Sequence, residues 1–290
     1  MPTLKLTDGA ALHFRDEGAG QPLVLLHGWG MRSEVFDPQF AALTTRFRVI
    51  APDLRGHGAS SPVNGSDGMT ILAHDVAELI HDLDLTQVIL VGWSMGAIVA
   101  WKLMQGSASD RIAGIVIVDM VPRILSDASW PFGLRDGEDA TAFDSDVARM
   151  RKDWRAYSDE FVPRNVARGR EDARGALLEK LADLVRLNDP ESMIRLWQSL
   201  ASQDLREDVA ESRVPSVIIY GERGQLYSPA AFAWLNETIP NSRRVSFSDS
   251  GHAPHLEESE LFNATLVDFA DRLRGEPAKT QETCETERPT

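Results

Sequence analysis

The sequence predicts an α/β protein with a mostly parallel central sheet, helices on both faces and a helical insertion. Short, wholly apolar runs alternate with helical segments up to residue 121, as expected for strands that are buried on both faces of a parallel sheet. One such run, at 88–91, leads through G-W-S-M-G at 92–96 directly into a helical segment. The alternation stops at Pro122 and resumes near Ser216, so the chain between them is predicted as an insertion.

The elements before the insertion follow from local patterns. Residues 4–6 and 11–15 flank an Asp-Gly turn dipeptide at 8–9 and predict an antiparallel hairpin. Apolar runs and helical periodicity then predict strands at 23–26, 48–51, 88–91 and 112–118 and helices at 33–43, 70–83 and 95–104.

Residues 122–213 are polar-rich and are predicted to form a helical cap, with helices at 140–157, 171–187 and 191–201. Its tryptophans can form a small core of their own or wall a pocket. A core position is favoured for Trp154 and Trp197. Trp130 stands near the point where the insertion leaves the sheet, and it is predicted to line the substrate pocket.

The alternation resumes with strands at 216–220 and 243–247 and helices at 230–237 and 257–273. The predicted α/β core therefore comprises 1–121 and 214–274. Residues 275–290 are rich in Glu, Thr and Pro and nearly devoid of apolar residues, which predicts a disordered tail.

Composition excludes several classes of partner. A formal net charge of −14 over 290 residues argues against nucleic acid or an anionic membrane as a partner.

Cys284 is the sole cysteine, so no intramolecular disulfide can form. No run approaches the roughly 18 apolar residues of a membrane span, and the first residues lack the apolar region of a signal peptide. A cytoplasmic location is expected.

The segment around Ser94 carries the strongest chemical signal. G-x-S-x-G between a strand and a helix predicts a sharp turn that projects the serine hydroxyl above the sheet edge. Glycines two residues to either side allow neighbouring backbone to approach without a Cβ clash. Ser94 is therefore the predicted nucleophile, and the alternative is a buried serine in a tight turn.

From residue 4 to residue 273 the chain resembles the α/β-hydrolases that carry a helical cap. The resemblance rests on four motifs in order, each at a predicted strand end: H-G-W-G at 27–30, D-L-R-G-H-G-A-S at 53–60, G-W-S-M-G at 92–96 and S-G-H-A-P-H-L-E at 250–257. The first and third motifs also resemble the pimeloyl-acyl-carrier-protein methyl esterases. The resemblance implies a hydrolase with a Ser–His–acid triad.

Serine needs a base to take its proton, and histidine has a suitable pKa. Of seven histidines, His252 stands in a small-residue loop after a late strand, where this fold places its base. His255 shares the loop but precedes the last helix, and it is expected to cap or pack. His27 and His57 lie in the other motifs and are expected to orient loops by hydrogen bonds.

The oxyanion of the tetrahedral intermediate requires two backbone N–H donors. Met95, the residue after the nucleophile, supplies one. In the resemblance the second comes from the loop after an earlier strand, which here matches Trp29. The Trp29 side chain is also expected to line the cleft.

The acid departs from the family pattern. Most relatives carry Asp in a G-x-x-D motif after the strand that ends here at Gly221, but this chain has Gly224 at that place. Asp119, after the strand that follows the nucleophile helix, matches the position that haloalkane dehalogenases use and is favoured. Glu222 is the alternative acid, and Asp249 is a remote third.

These residues predict a serine carboxylic-ester hydrolase acting through an acyl-enzyme on a small to medium ester, free or bound to an acyl carrier. No cofactor or metal is expected, because the sequence shows neither a ligand cluster nor a phosphate loop. Alternatives are a lactonase, a C–C hydrolase, a proline iminopeptidase, or a ligand receptor built on the same fold. The sequence does not indicate the oligomeric state.

Overall fold

A sheet of eight strands organises the part of the chain that the computed structural model describes, residues 1–65, 67–134 and 139–275. Its spatial order is β1-β2-β4-β3-β5-β6-β7-β8. The strands are β1 (Thr3–Lys5), β2 (Ala11–Gly18), β3 (Gln21–Leu26), β4 (Phe47–Pro52), β5 (Val88–Trp93), β6 (Ile112–Val118), β7 (Ser216–Gly221) and β8 (Ser242–Phe247).

The pairing is antiparallel between β1 and β2 and between β2 and β4, and parallel across the rest of the sheet. The predicted hairpin and the predicted mostly parallel sheet are therefore confirmed. Every residue of β5 and of β7 is buried, which explains why these strands are continuous apolar runs without polar alternation.

Helices cover the sheet and form the insertion. They are α1 (Asp37–Leu43), α2 (Gly68–Asp82), α3 (Met95–Leu103), α4 (Ala140–Lys152), α5 (Trp154–Phe161), α6 (Gly175–Arg186), α7 (Pro190–Ala201), α8 (Arg206–Glu211), α9 (Pro229–Thr238), α10 (Pro254–Glu257) and α11 (Ser259–Leu273). Short 3₁₀ turns occupy Ser33–Phe36, Ser109–Arg111, Val162–Asn165 and Asp172–Arg174.

Two predicted helices are each divided in the structure. The helix predicted at 140–157 breaks at Asp153, whose backbone is extended and whose side chain accepts a hydrogen bond from Ala156 N, so Asp153 caps a new helix, α5. The helix predicted at 257–273 breaks at Glu258, where the backbone leaves the helical region, and α10 precedes the break. The sequence analysis also missed α8.

The segment between β6 and β7 is helical where it is described, and its only β-type pairing there is an isolated bridge between Asp127 and Trp130. The division into core (1–121 and 214–274) and cap (122–213) stays a prediction. The predicted tail lies outside the described residues, except for Gly275. None of the described helices combines the length and the apolar character needed to cross a lipid bilayer.

Close backbone packing fixes the turn between β5 and α3. A Cβ at Gly92 would lie 2.5 Å from the carbonyl oxygen of Gly96, and a Cβ at Gly96 would overlap the carbonyl of Leu26 in β3. Such distances are too short for any side chain. The N-terminus of α3 can therefore sit directly against β3 and β5 only because both positions are glycine.

We predict that Gly96→Ala destabilises the fold. The new methyl group must push α3 away from Leu26, and overpacking of this kind costs about 1–3 kcal/mol. Urea denaturation measures the free energy of unfolding. Gly106→Ala is the matched control, because a Cβ there meets its nearest neighbour, the Leu103 carbonyl oxygen, at 3.4 Å. Equal stability of the two variants would contradict the packing argument.

Candidate active site

Ser94 occupies a strained turn at the carboxyl end of β5. Its φ of 53° and ψ of −124° lie outside the regions that L-residues usually adopt. Backbone hydrogen bonds hold this geometry: Ser94 N donates to Val118 O at 3.0 Å, and Ala97 N donates to Ser94 O at 2.8 Å. The hydroxyl makes no hydrogen bond to the helix that Ser94 caps, and the residue is partly exposed.

Asp119 and His252 meet beside this turn. Because Trp93 pairs with Val118 in the parallel β5–β6 ladder, Ser94 and Asp119 follow adjacent strands at the same sheet edge. Nδ1 of His252 donates to Oδ1 of Asp119 at 2.8 Å, with both side chains 2% exposed. Oδ2 of Asp119 accepts from Gly221 N at 3.1 Å. In the neutral imidazole this arrangement favours the tautomer that carries its proton on Nδ1 and has its free lone pair on Nε2.

The other candidate acids lie elsewhere. Glu222 is exposed, and its described hydrogen bond is made by its backbone N–H to Phe247 O at 2.9 Å. Asp249 pairs with Arg170 at 2.9 Å and Arg223 at 3.4 Å on the surface. The structure therefore brings neither carboxylate to His252.

His27 and His57 are buried and face each other edge to face, with ring centroids 4.8 Å apart. Nε2 of His27 accepts from Leu54 N at 2.9 Å, and Nε2 of His57 accepts from Gly30 N at 3.0 Å. Burial lowers the pKa of His27 to about 4 and the pKa of His57 well below its ordinary value. Both rings are therefore neutral hydrogen-bond acceptors that hold the 27–30 loop.

The predicted oxyanion donors flank Ser94. Met95 is the first residue of α3, so its N–H has no acceptor within the helix. The backbone N–H of Trp29 has no acceptor among the described residues, whereas the next two N–H groups donate to His57 Nε2 and Gly28 O. Gly28 lies against Ser94, since a Cβ on it would stand 3.1 Å from the Ser94 Cβ. The N–H of Met95 and the loop that carries the N–H of Trp29 thus lie beside Ser94.

Helices of the insertion hold the loop that carries Trp29. Nε1 of the indole donates to Met193 O in α7 at 2.9 Å, and Nδ2 of Asn188 donates to Gly30 O at 2.7 Å. The indole is 3% exposed and packs against rings of the insertion, with centroids 5.1–6.4 Å away: Trp154, Tyr157, Phe161 and Trp197. Trp154 and Trp197 therefore pack on Trp29 as well as on other rings of the insertion.

Comparison with known proteins matches this arrangement to a family. The model of the alpha/beta hydrolase family matches residues 23–265. A pimeloyl-[acyl-carrier protein] methyl ester esterase from Nitrosomonas europaea is 32% identical over 259 residues, which cover 87% of this chain and 97% of that protein. The chain belongs to the alpha/beta hydrolase family.

Solved structures agree with the family. An esterase from Exiguobacterium antarcticum superposes with a TM-score of 0.85 at 27% identity, covering 93% of this chain and 98% of that one. A thermophilic esterase from Thermogutta terrifontis superposes with a TM-score of 0.82 at 25% identity, covering 94% and 98%. These matches confirm the predicted fold class, the predicted family and the assignment to the hydrolases.

In this alpha/beta hydrolase Trp130 is a buried ring packed among other aromatic side chains. Its ring is 2% exposed and packs on Phe132 and Trp234, with centroids 5.2 and 4.7 Å away. Its Nε1 donates to Arg123 O at 2.8 Å. None of these contacts involves Ser94 or His252, so pocket lining by Trp130 stays an untested prediction.

Sequence reasoning missed Asn188, which fastens the 27–30 loop from 158 residues away. An Asn-Asp-Pro sequence at 188–190 signals a turn before α7, but not a contact with Gly30. No group of three or more His, Cys, Asp or Glu side chains within 1–65, 67–134 and 139–275 is placed to bind a metal ion.

We predict that His255→Leu makes stability less dependent on pH and preserves activity. The His255 ring packs against Trp93, Phe36 and Phe262, and neither ring nitrogen has a partner among the described residues. Burial lowers the pKa of His255 to about 3. Between this folded-state pKa and the unfolded-state pKa of about 6.5, the unfolded chain carries one proton more than the folded protein. The free energy of unfolding of the wild type therefore falls as the pH falls.

In this pH range the free energy of unfolding should change less steeply with pH in the variant than in the wild type, by about 1.4 kcal/mol per pH unit. Urea titrations between pH 5 and 7.5 measure it, with His74→Gln, at an exposed side chain, as the control. An unchanged slope would contradict the burial argument. Loss of activity with the fold intact would show that His255, and not only His252, takes part in the chemistry.

Proposed function

We propose that the protein is a serine carboxylic-ester hydrolase that uses Ser94 as nucleophile, His252 as general base and Asp119 as the acid that orients the base. The observation that carries this proposal is the buried 2.8 Å hydrogen bond from His252 Nδ1 to Asp119, formed beside the strained turn of Ser94. Nucleophile, base and orienting carboxylate recur in this relation in serine hydrolases of unrelated folds.

The proposed reaction has two halves. Oγ of Ser94 attacks the ester carbonyl while Nε2 of His252 takes its proton, and the backbone N–H groups of Trp29 and Met95 stabilise the resulting oxyanion. His252 then returns the proton to the departing alcohol, which leaves an acyl-enzyme. Water, deprotonated by His252, attacks the acyl-enzyme; His252 then returns this proton to Ser94 Oγ as the bond to the serine breaks and the acid is released. Asp119 holds the imidazole in place and stabilises the imidazolium in both halves.

The proposed substrate is a small to medium ester. The relative from Nitrosomonas europaea is named for the methyl ester of a carrier-bound acyl chain, which supports a methyl ester and makes a carrier-bound form the larger variant to test. Comparing hydrolysis of a free acyl methyl ester with that of the same acyl chain on a carrier protein decides between the two. Lactonase, C–C hydrolase, iminopeptidase and receptor functions are not favoured by the relatives. The cytoplasm remains the proposed location.

We predict that Ser94→Ala abolishes ester hydrolysis while the fold remains. Removing the nucleophile of a serine triad lowers kcat by about 10⁴-fold or more. Hydrolysis of p-nitrophenyl esters of graded acyl length measures the loss, and a fluorophosphonate should label Ser94 in the wild type. Ser107→Ala, at an exposed position, is the control. Labelling of another residue with Ser94 unmodified would exclude the proposed nucleophile.

We predict that Asp119→Asn lowers kcat by about 10⁴-fold, the loss that this change causes in serine proteases, with little change in KM. The amide NH₂ would face Nδ1 and favour the wrong imidazole tautomer. Asparagine also tolerates the positive φ of 48° at this position, so the backbone should be preserved. Glu222→Gln is the matched control and should be mild. The reverse pattern would assign the role to Glu222, and full activity of both variants would leave a Ser–His dyad.

A further inference from the structure

The loop that presents His252 is pressed between two other pieces of backbone. On one side, a Cβ at Gly221, the last residue of β7, would overlap the Gly251 carbonyl. On the other side, a Cβ at Gly251 would lie 2.6 Å from Ala167 N in the insertion. The base loop is therefore in direct contact with both the sheet edge and the insertion.

A single buried carboxylate joins these layers. Oε1 of Glu257 accepts from Gly251 N at 2.8 Å, and Oε2 accepts from Ala167 N at 2.8 Å. Its side chain has no exposed surface, and Arg174 of the insertion lies 3.5 Å from Oε2. Gly251 immediately precedes His252, so one of these hydrogen bonds holds the peptide that leads into the base.

We infer that Glu257 is a positioning residue: it sets the place of His252 by holding Gly251 and ties the base loop to residue 167 of the insertion. This inference rests on the proposed function, because it assumes that His252 is the base. Glu257 touches neither Ser94 nor the His252 ring among the described contacts and acts through the backbone.

The hydrogen bonds require a carboxylate and not merely a side chain of this size. Two N–H donors approach the two oxygens, one each, and a carboxyl group offers acceptor lone pairs on both of its oxygens. A glutamine of the same shape would present its NH₂ to one of these donors. The bond to Gly251 N or the bond to Ala167 N would then be lost, and a donor would remain unpaired in a buried place.

Other hydrogen bonds also hold the loop that presents His252. Glu258 Oε2 accepts from the Ser250 hydroxyl at 2.6 Å and from Asp249 N at 3.1 Å. Trp93, the residue before the nucleophile, donates from its indole Nε1 to the His252 carbonyl at 2.6 Å. With its flanking residues held, the loop has little freedom, so losing the Glu257 contact should move His252 by a small distance without unfolding the protein.

The test compares Glu257→Gln, Glu257→Asp and the control Glu260→Gln, which changes an exposed glutamate on α11. We expect Glu257→Gln to lower kcat by about 10- to 100-fold with KM within about threefold, because small displacements of a catalytic group act on the transition state. Glu257→Asp keeps both acceptor oxygens on a side chain that is one methylene shorter, so its kcat should lie between that of Glu257→Gln and that of the wild type. Glu260→Gln should match wild type.

A double-mutant cycle separates positioning from general stability. If Glu257 acts through His252, Glu257→Gln should cost less than about twofold when added to His252→Ala, measured on an activated p-nitrophenyl ester. A loss that persists undiminished in that background overturns the inference, as does wild-type kcat in Glu257→Gln.

If circular dichroism shows that Glu257→Gln does not fold, the same double-mutant cycle with Glu257→Asp tests the inference. A wild-type kcat in Glu257→Asp would then overturn it. Failure of the proposed function looks different. In that case wild-type enzyme would not be labelled at Ser94 by a fluorophosphonate, whatever residue stands at 257.

Discussion

The close approach of α3 to β3 and β5 is the constraint on which the rest of the site depends. Without side chains at Gly92 and Gly96, the helix begins directly above the sheet, and Ser94 is forced to a φ of 53°. The strain, of order 1–3 kcal/mol for such a residue, is compensated by packing on both sides of the turn. The same register places Asp119 at the next strand end, so Ser94 and the Asp119 carboxylate share a single sheet edge.

Two loops complete the site, and both are fastened to the insertion. The oxyanion loop is held by Asn188 and by the Trp29 indole on Met193 O, while the base loop is held through Glu257 on Ala167 N. These are hydrogen bonds between buried groups, which are costly to leave unmade. The insertion therefore holds both loops of the proposed site. Its sequence should be constrained at these contacts and freer where it faces only solvent.

How far the sequence could predict the protein depended on the range of the interaction concerned. The strands and the turn at Ser94 were predictable because an apolar run and a turn motif are local signals. The position of Asp119 beside that turn was predictable because strand ends in a parallel sheet converge on one edge. The break at Asp153 is also local, and the capping preference of aspartate could have revealed it. The contact from Asn188 to Gly30 spans 158 residues, and no local pattern encodes it.

With Asp119 as the proposed acid, the loop after β7 has a different role from the one that the family resemblance implies. Gly224 stands where the family resemblance places an aspartate, and the carboxylate nearest His252 comes instead from Asp119 at the end of β6. Gly221 N binds that carboxylate, while Arg223 N donates to Ser250 O at 3.0 Å. Gln225 Nε2 donates to Val166 O at 3.1 Å. The loop after β7 therefore contacts Asp119, the loop that presents His252 and the insertion together. The carboxylate proposed as the acid comes from the end of β6 and is held by the end of β7.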